Sequence, residues 1–435
     1  MTSNTESQLH RTLFFSKISH EECLGVIKAM LFTPGRRVHG MGSSDIVWGI
    51  PCMIWDEPGT GKTSIIAQEG RRYFDSTKIH YMAQHPAEDI GGYGIPNADR
   101  TAIDQVPAAF FSELNKQKNA LLILDEFGSI EEHKQAAGLA VLSERLAGST
   151  QIGPGVRIIA LGNPPEVAAN GVPLAPPAAN RMIHFPWVRP DAKGFSDFLS
   201  GAGVLLQSEE KEDPDEIEKV VIAEWPRCYA KAFAHVSQYL SKFRQHLQQM
   251  PHGCGVSNEG EADELRWASP RMWETLTRAL AGAYAHELND GQISYLVRSA
   301  LPSGIAVSFL KMQSENVLGD PVEILKDAAR GKVWEAPKNR LDIAVATARM
   351  LTSYVSDPSV KGIKELSVGY WRVLQRMKKS KAGGKDIVTE NAIKASNVDG
   401  MITRGTESER LFNEFSSDIH AEISLYSKGV NRRAV

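Results

Sequence analysis

The 435-residue chain predicts an α/β domain built on a parallel sheet, followed by a region made of helices alone. Three observations lead there. Strand-length apolar runs recur at 46–55, 79–83, 120–124, 156–161 and 182–185, with helically spaced segments between them. The run "ALLIL" at 120–124 is uninterrupted, as a strand buried on both faces requires. Beyond about residue 190 the strand signals fade and helical periodicity takes over.

Each element has its own reason. Residues 15–35 read as a short amphipathic helix stopped by Pro34-Gly35. The β-prone segment "IVWGIPCMIW" (46–55) meets a glycine-rich loop, and 63–74 resumes with helical spacing. A strand at 79–83, a helix at 106–116, the strand 120–124, a helix at 131–146 and the strands "VRIIAL" (156–161) and 182–185 complete the alternation. Helices then follow at 216–250, with Pro226 as a candidate break, and at 272–289, 293–300, 305–313, 342–356 and 363–379. Two polar stretches, "SEEKEDPD" (208–215) and "PHGCGVSNEGEADE" (251–264), read as solvated loops. The expected division is an α/β core with its N-terminal helix over 1–190, a helical part over 191–310 and a helical extension over 311–435.

Composition narrows the function classes. An apolar fraction of 42% with 23% charged residues is that of a soluble globular protein. The formal charge of -3 gives no support for a general polyanion binder. Four scattered cysteines (Cys23, Cys52, Cys228, Cys254) form no C-x-x-C pair and suggest free thiols in a reducing compartment. The start lacks a signal-like apolar core, and no apolar run reaches the eighteen or so residues of a spanning helix. A cytoplasmic protein away from membranes is expected.

The chemistry concentrates at three places. The stretch "DEPGTGKTS" carries G-x-G-K-T between strand and helix. There Pro58, Gly59, Thr60, Gly61, Lys62, Thr63 and Ser64 would wrap a triphosphate. Backbone N–H groups and the helix N-terminus face the phosphates, Lys62 reaches the β and γ groups, and Thr63 holds Mg²⁺. The full pattern begins with Gly where this chain has Asp56, a like charge beside the phosphates unless it turns away. Asp56 is therefore expected to mark an altered loop entrance, its carboxylate directed off the phosphates, at some cost in affinity. In "ALLILDEFGS", Asp125 follows a buried strand at the edge where α/β sheets bind ligands; it can hold Mg²⁺ and Glu126 can polarise a water as general base. In "IIALGNPPE", Asn163 leaves the next buried strand, either as a turn residue before Pro164 or as an amide that orients the lytic water.

Lys62, Asp125-Glu126 and Asn163, in this order, resemble the Walker A, Walker B and sensor-1 positions of AAA+ ATPases. The stretch "GNPPEVAANGVPLAPPAANRMIHFPW" is similar to the MoxR-like branch of that family, over roughly residues 20–310. The resemblance implies an AAA+ P-loop NTPase core, an all-α lid carrying sensor 2 and a helical C-terminal extension. It implies ATP and Mg²⁺ as cofactors and ATP hydrolysis in a ring, with six subunits expected. It makes Arg181 the arginine finger completing a neighbour's site, and in "ASPRMWETLTRAL" it gives Arg271 a contact with the γ-phosphate of its own subunit. It also implies remodelling or chaperoning of a protein client, with a von Willebrand factor A domain protein as partner.

In "HPAEDIGGYGIP", Tyr93 between two glycines fits a pore-lining loop, or an incidental surface tyrosine. His252 and Cys254 lack the second pair a metal site needs. The basic loop 378–385 reads as a solvated connection. A nucleic-acid motor on the same core would need a basic pore, and no Lys or Arg flanks Tyr93. A scaffold that binds ATP with little turnover is the other alternative, with Asp56 as its only support. "DEFG" fits the short D-x-x-G pattern of GTPases, but Asn115-Lys116-Gln117-Lys118 lacks the Asp that reads guanine.

Overall fold

Side-chain alternation along the central strands decides how the first part of the chain folds. In "VRIIALG", Val156, Ile158 and Ala160 face one side of the sheet and Arg157, Ile159 and Leu161 the other, and every one is buried. Burial on both faces is what a parallel sheet covered by helices imposes. The computed structural model describes residues 18–36, 38, 41–42, 45–168, 172–200, 211–249, 265–316, 318–332, 334–335, 340–379 and 385–417. His252 and Cys254 lie outside these residues, as does most of the basic loop 378–385.

In chain order the elements begin with α1 (His20–Leu31), β1 (Cys52–Trp55), α2 (Lys62–Tyr73), β2 (Ser76–Tyr81) and α3 (Glu88–Gly91). The hairpin β3 (Tyr93–Pro96) and β4 (Ile103–Val106) follows, then α4 (Ala109–Asn115), β5 (Ala120–Asp125) and α5 (Glu132–Leu139). A second hairpin, β6 (Leu146–Ala147) and β7 (Thr150–Gln151), leads into β8 (Val156–Gly162), α6 (Pro176–Ala179), β9 (Ile183–Pro186) and α7 (Ala192–Leu199). The remainder is helical: α8 (Pro214–Lys242), α9 (Pro270–Ala285), α10 (Asp290–Ala300), α11 (Ser303–Glu315), α12 (Pro321–Ala329), α13 (Leu341–Val355), α14 (Ile363–Lys379), α15 (Lys385–Ser396) and α16 (Glu407–Ser416). Pro226 sits inside α8 without ending it.

Five strands form one parallel sheet in the order β2-β5-β8-β1-β9. This is an α/β P-loop core, with a mostly helical region after it. The chain starts in the sheet at β1, flanked by β8 and β9, and then skips two strands to reach β2. Register sets Met53 beside Ala160 and Leu122 beside Ile158. Those residues build one core with Leu124, Phe127 and Met182.

Contacts divide the chain into two compact units. The first contains Met1–Val221 and Gln245–Leu310, the second Ile222–Arg244 and Lys311–Val435. The helices of 265–310 belong with the sheet because α10 packs on β9 and α9 on α1. Capping residues lock them there. Ser19 and Asn289 each close a capping box, on α1 and α10. Glu22 of the first box accepts from Asn289 Nδ2 (2.8 Å) and, through its carbonyl, from Gln292 Nε2 (2.9 Å) of the second. The second unit has its own core around the buried Trp371, Tyr370 and Leu351. There Trp371 Nε1–H donates to Met401 O at 2.8 Å.

Arg157 is the exception inside the sheet, a fully buried cation in an apolar strand. Its guanidinium is ringed by Phe32, Trp48 and Phe74 at 5.1–5.6 Å. It donates to Asn119 Oδ1 (2.8 Å) and pairs with Glu218 at the start of α8. Burial pushes its pKa down and Glu218 works against that. Removing one partner of such a pair strands the other, so Arg157→Ala is expected to cost the first unit about 3–5 kcal/mol. A urea melt followed by far-UV circular dichroism measures this; a loss below about 1 kcal/mol would mean that Glu218 and Asn119 find water instead.

Candidate functional site

Three strand exits meet at one edge of the sheet. Trp55 ends β1 opposite Gly162 of β8, and Asp125 ends β5 opposite Tyr81 of β2. Because β8 lies between β1 and β5, Asn163 emerges between the glycine-rich loop and Asp125. This is the carboxyl edge of the strands, at the point where the chain's course across the sheet reverses. The strands approach closely there: a Cβ on Gly162 would lie 2.3 Å from Met53 Cε and 3.1 Å from Gly128 N.

The loop itself depends on backbone conformation. Gly59 and Gly61 have φ of 80° and 81°, which side-chain-bearing residues rarely adopt. Gly61 is the N-cap of α2 with no side-chain cap, so the first N–H groups of that helix remain directed at the loop. Lys62, 7% exposed, has all three ammonium hydrogens placed: on Asp56 O (2.9 Å), Glu57 O (2.8 Å) and Asn163 Oδ1 (3.0 Å). Burial lowers its pKa and the nearby carboxylates of Asp56 and Asp125 offset this. Thr63 Oγ1–H donates to Asp125 Oδ2 at 2.7 Å, while Asp125 Oδ1 accepts the N–H of Glu126 at 2.8 Å.

Glu126 itself has φ 62°, left-handed for a non-glycine residue. Its carboxylate is half-buried and makes no hydrogen bond or ion pair among the described residues. An unspent carboxylate at a ligand-binding edge, on a backbone conformation of the kind that clusters at functional sites, is free to accept a proton from a bound water. The oxygen donors of Thr63 and Asp125 suit Mg²⁺, which is ordinarily held by one or two carboxylates together with substrate phosphates.

Sequence reasoning missed the neighbours that hold the loop. Trp187 continues the ladder beyond β9, its N–H donating to Trp55 O at 2.8 Å, and its indole N–H reaches Thr60 O at 3.3 Å. Trp55 Nε1–H donates to His184 Nδ1 (3.0 Å), which leaves His184 Nε2–H for Ala179 O (2.8 Å) and fixes a neutral tautomer. Burial holds His184 at a pKa of about 4. Arg189 forks onto Asp56, Nε to Oδ2 at 2.6 Å and Nη2 to Oδ1 at 2.7 Å, and Nη2 also meets Glu57 Oε2 at 2.8 Å. Burial alone would raise the Asp56 carboxyl; the bonds and charge of Arg189, together with the Glu57 N–H and the Thr60 hydroxyl, outweigh it and hold it below the usual carboxylate range. The Asp56 carboxylate is thus taken up by Arg189. The only sequence signal for this was a basic residue just past the strand, in "FPWVRP".

The two other arginines are brought together, but not with Lys62. Arg181 precedes β9 at its amino end, and β9 runs parallel to β1. The strand's three steps, about 10 Å of sheet, and two further residues separate Arg181 from the loop edge. The N-cap of α9, Ser269, donates to Asn180 Oδ1 at 2.8 Å, which sets Arg271 beside Arg181. Desolvation, then the charge of Arg271, lower the Arg181 pKa. Arg271 is exposed. The Ser269–Asn180 bond ties the start of α9 to the segment that carries Arg181; a contact of Arg271 with the γ-phosphate of its own subunit stays what the family resemblance implies.

Tyr93 lies on the β3–β4 hairpin and is 46% exposed, with its hydroxyl on Asp89 Oδ1 at 2.9 Å. Ile95, Ile103 and Val106 of the same hairpin are also exposed. Cys23, Cys52 and Cys228 are buried free thiols. No helix among the described residues is long and apolar enough to cross a membrane.

No protein-family model matches the chain, and no curated protein matches it. Among solved structures it is similar to a protein of Cytophaga hutchinsonii ATCC 33406 provisionally described as an ATPase. Identity is 12%, 71% of this chain and 93% of the other are covered, and the TM-score is 0.42. A likeness of that size decides nothing about function, which is read below from the chain's own geometry.

Proposed function

We propose that the protein is an ATP-binding and ATP-hydrolysing AAA+ ATPase of the MoxR-like kind. One observation carries this reading: Lys62, Thr63, Asp125 and Asn163 converge, by direct hydrogen bonds, at the carboxyl edge of a parallel sheet. A triphosphate competes for the Lys62 ammonium against two neutral carbonyls and an amide, and anionic oxygens win such a contest. The N–H groups around Gly59–Lys62 bind the β-phosphate. Thr63 and Asp125 would hold Mg²⁺, which when bound draws charge from the phosphate oxygens. Glu126 takes a proton from water as it attacks the γ-phosphorus in line, and Asn163 orients that water. The ADP oxygen leaves with its charge met by Lys62.

The placement of Arg181 and Arg271 at the far edge supports assembly. Neither is hydrogen-bonded to its own loop among the described residues; both are read as completing the site of a neighbouring subunit in a ring, of six by resemblance, where the resemblance alone would give Arg271 to its own subunit. The exposed apolar hairpin β3–β4, with Tyr93, is the candidate contact for a protein client. A von Willebrand factor A domain partner is proposed from the family resemblance alone.

The test is ATP turnover and ATP binding measured against protein concentration, for the wild type and Lys62→Ala. Expected are a specific turnover that rises with concentration, and a loss of at least about a hundredfold with weakened ATP binding in the variant. Binding and turnover indifferent to Lys62→Ala would discard the site; ATP binding without turnover at any concentration would favour a nucleotide-dependent scaffold.

A further inference from the structure

The phosphate loop opens with an acid where its pattern has glycine, and the structure supplies a specific counterpart. Trp55 and Pro186 lie side by side in the sheet, so the chain leaves β1 and β9 in parallel. Trp187 stays on the ladder, and three residues past β9 Arg189 turns back over Asp56. The Asp56 side chain is 13% exposed and the Arg189 side chain 39%. Two parallel N–H to carboxylate bonds in this fork geometry fix direction as well as charge. A third bond engages Glu57. Without Arg189, two carboxylates would stand at the entrance of a loop that must accept a triphosphate.

Resting on the nucleotide-site reading above, we propose that Arg189 is a positioning residue for ATP: it neutralises Asp56 and turns that carboxylate away from the phosphates, replacing the glycine of the standard loop by an ion pair. The affinity cost expected from Asp56 in the sequence is cancelled while Arg189 is present. The penalty appears only when Arg189 is removed, and it scales with the charge of the ligand. A purely structural clamp would weaken every nucleotide alike.

The experiment is calorimetric titration of ATP, ADP and AMP, with Mg²⁺ present, into wild type, Arg189→Ala, Arg189→Lys, Asp56→Gly and Arg189→Ala/Asp56→Gly. At low ionic strength Arg189→Ala is expected to weaken ATP about tenfold, ADP less and AMP least, with the gap narrowing in high salt. Arg189→Lys keeps the charge without the fork and falls between. Asp56→Gly alone binds ATP at least as well as the wild type, and the double variant returns to within about threefold of it. An unchanged Arg189→Ala, an equal loss for all three nucleotides, or a double variant as weak as Arg189→Ala would overturn the proposal. Lys62→Ala separates the two readings. If it abolishes ATP binding while Arg189→Ala does not alter it, the site stands and Arg189 has no such role. If wild type binds no ATP, both fall.

Discussion

Glu126→Gln is expected to lower ATP turnover by at least about a hundredfold and leave ATP affinity within about twofold of the wild type. The substitution keeps volume and planarity and removes only the basic carboxylate. That carboxylate has no partner among the described residues, so no bond is broken by its loss. The backbone that presents it, with φ 62°, is held by the Glu126 N–H on Asp125 Oδ1, which a side-chain amide does not disturb. Stability should therefore stay put: a melting temperature within about one degree of the wild type is the control, since surface changes away from bonded features are nearly neutral. Lys62→Ala differs in kind, because it removes the cation that meets the phosphates and so lowers binding with turnover. Single-turnover release of phosphate distinguishes the two. If Glu126→Gln turns over as fast as the wild type, the base is another group, and the strained backbone at 126 has to be explained by packing alone.

Much of the site was legible because each of its chemical groups sits where a strand ends, and strand ends are local in sequence. The apolar runs before Trp55, Asp125 and Asn163 announce buried strands, and the polar residue that follows each is carried to the sheet edge without further information. What the sequence does not contain is which strands are neighbours. The Arg189–Asp56 fork spans 133 positions and exists only because β9 pairs with β1. The same pairing decides the tautomer of His184 and the seat of Trp187. The hairpin β3–β4 was missed as well: a glycine-rich stretch with exposed side chains carries no burial pattern to mark it as strand. Arg271 illustrates the opposite case. The helix was read well, Pro270–Ala285 against an expected 272–289 that began one residue after Arg271, but which part of the sheet that residue lies beside depends on Ser269 meeting Asn180.

That placement yields the second large effect. In a ring with head-to-tail contacts, each composite site takes its phosphate loop from one subunit and its arginines from the next. Arg181→Ala and Arg271→Ala are each expected to lower turnover by about a thousandfold, the scale of a lost arginine finger. Mixing either with Lys62→Ala should then restore activity, because an arginine-deficient subunit still offers a sound loop to a loop-deficient neighbour with sound arginines. Random assembly of equal amounts makes about one interface in four competent, so recovery to about a quarter of wild-type turnover is the ceiling. The mixture of Arg181→Ala with Arg271→Ala separates the two assignments of Arg271. If both arginines face the neighbour, every interface lacks one of them and the mixture stays inactive. If Arg271 instead served its own subunit, an Arg181→Ala subunit beside an Arg271→Ala neighbour would form a complete site, and the same quarter would return. Activity in that mixture, or none when Arg271→Ala is mixed with Lys62→Ala, would put Arg271 back on its own γ-phosphate and require α9 to move away from Asn180 in the working ring.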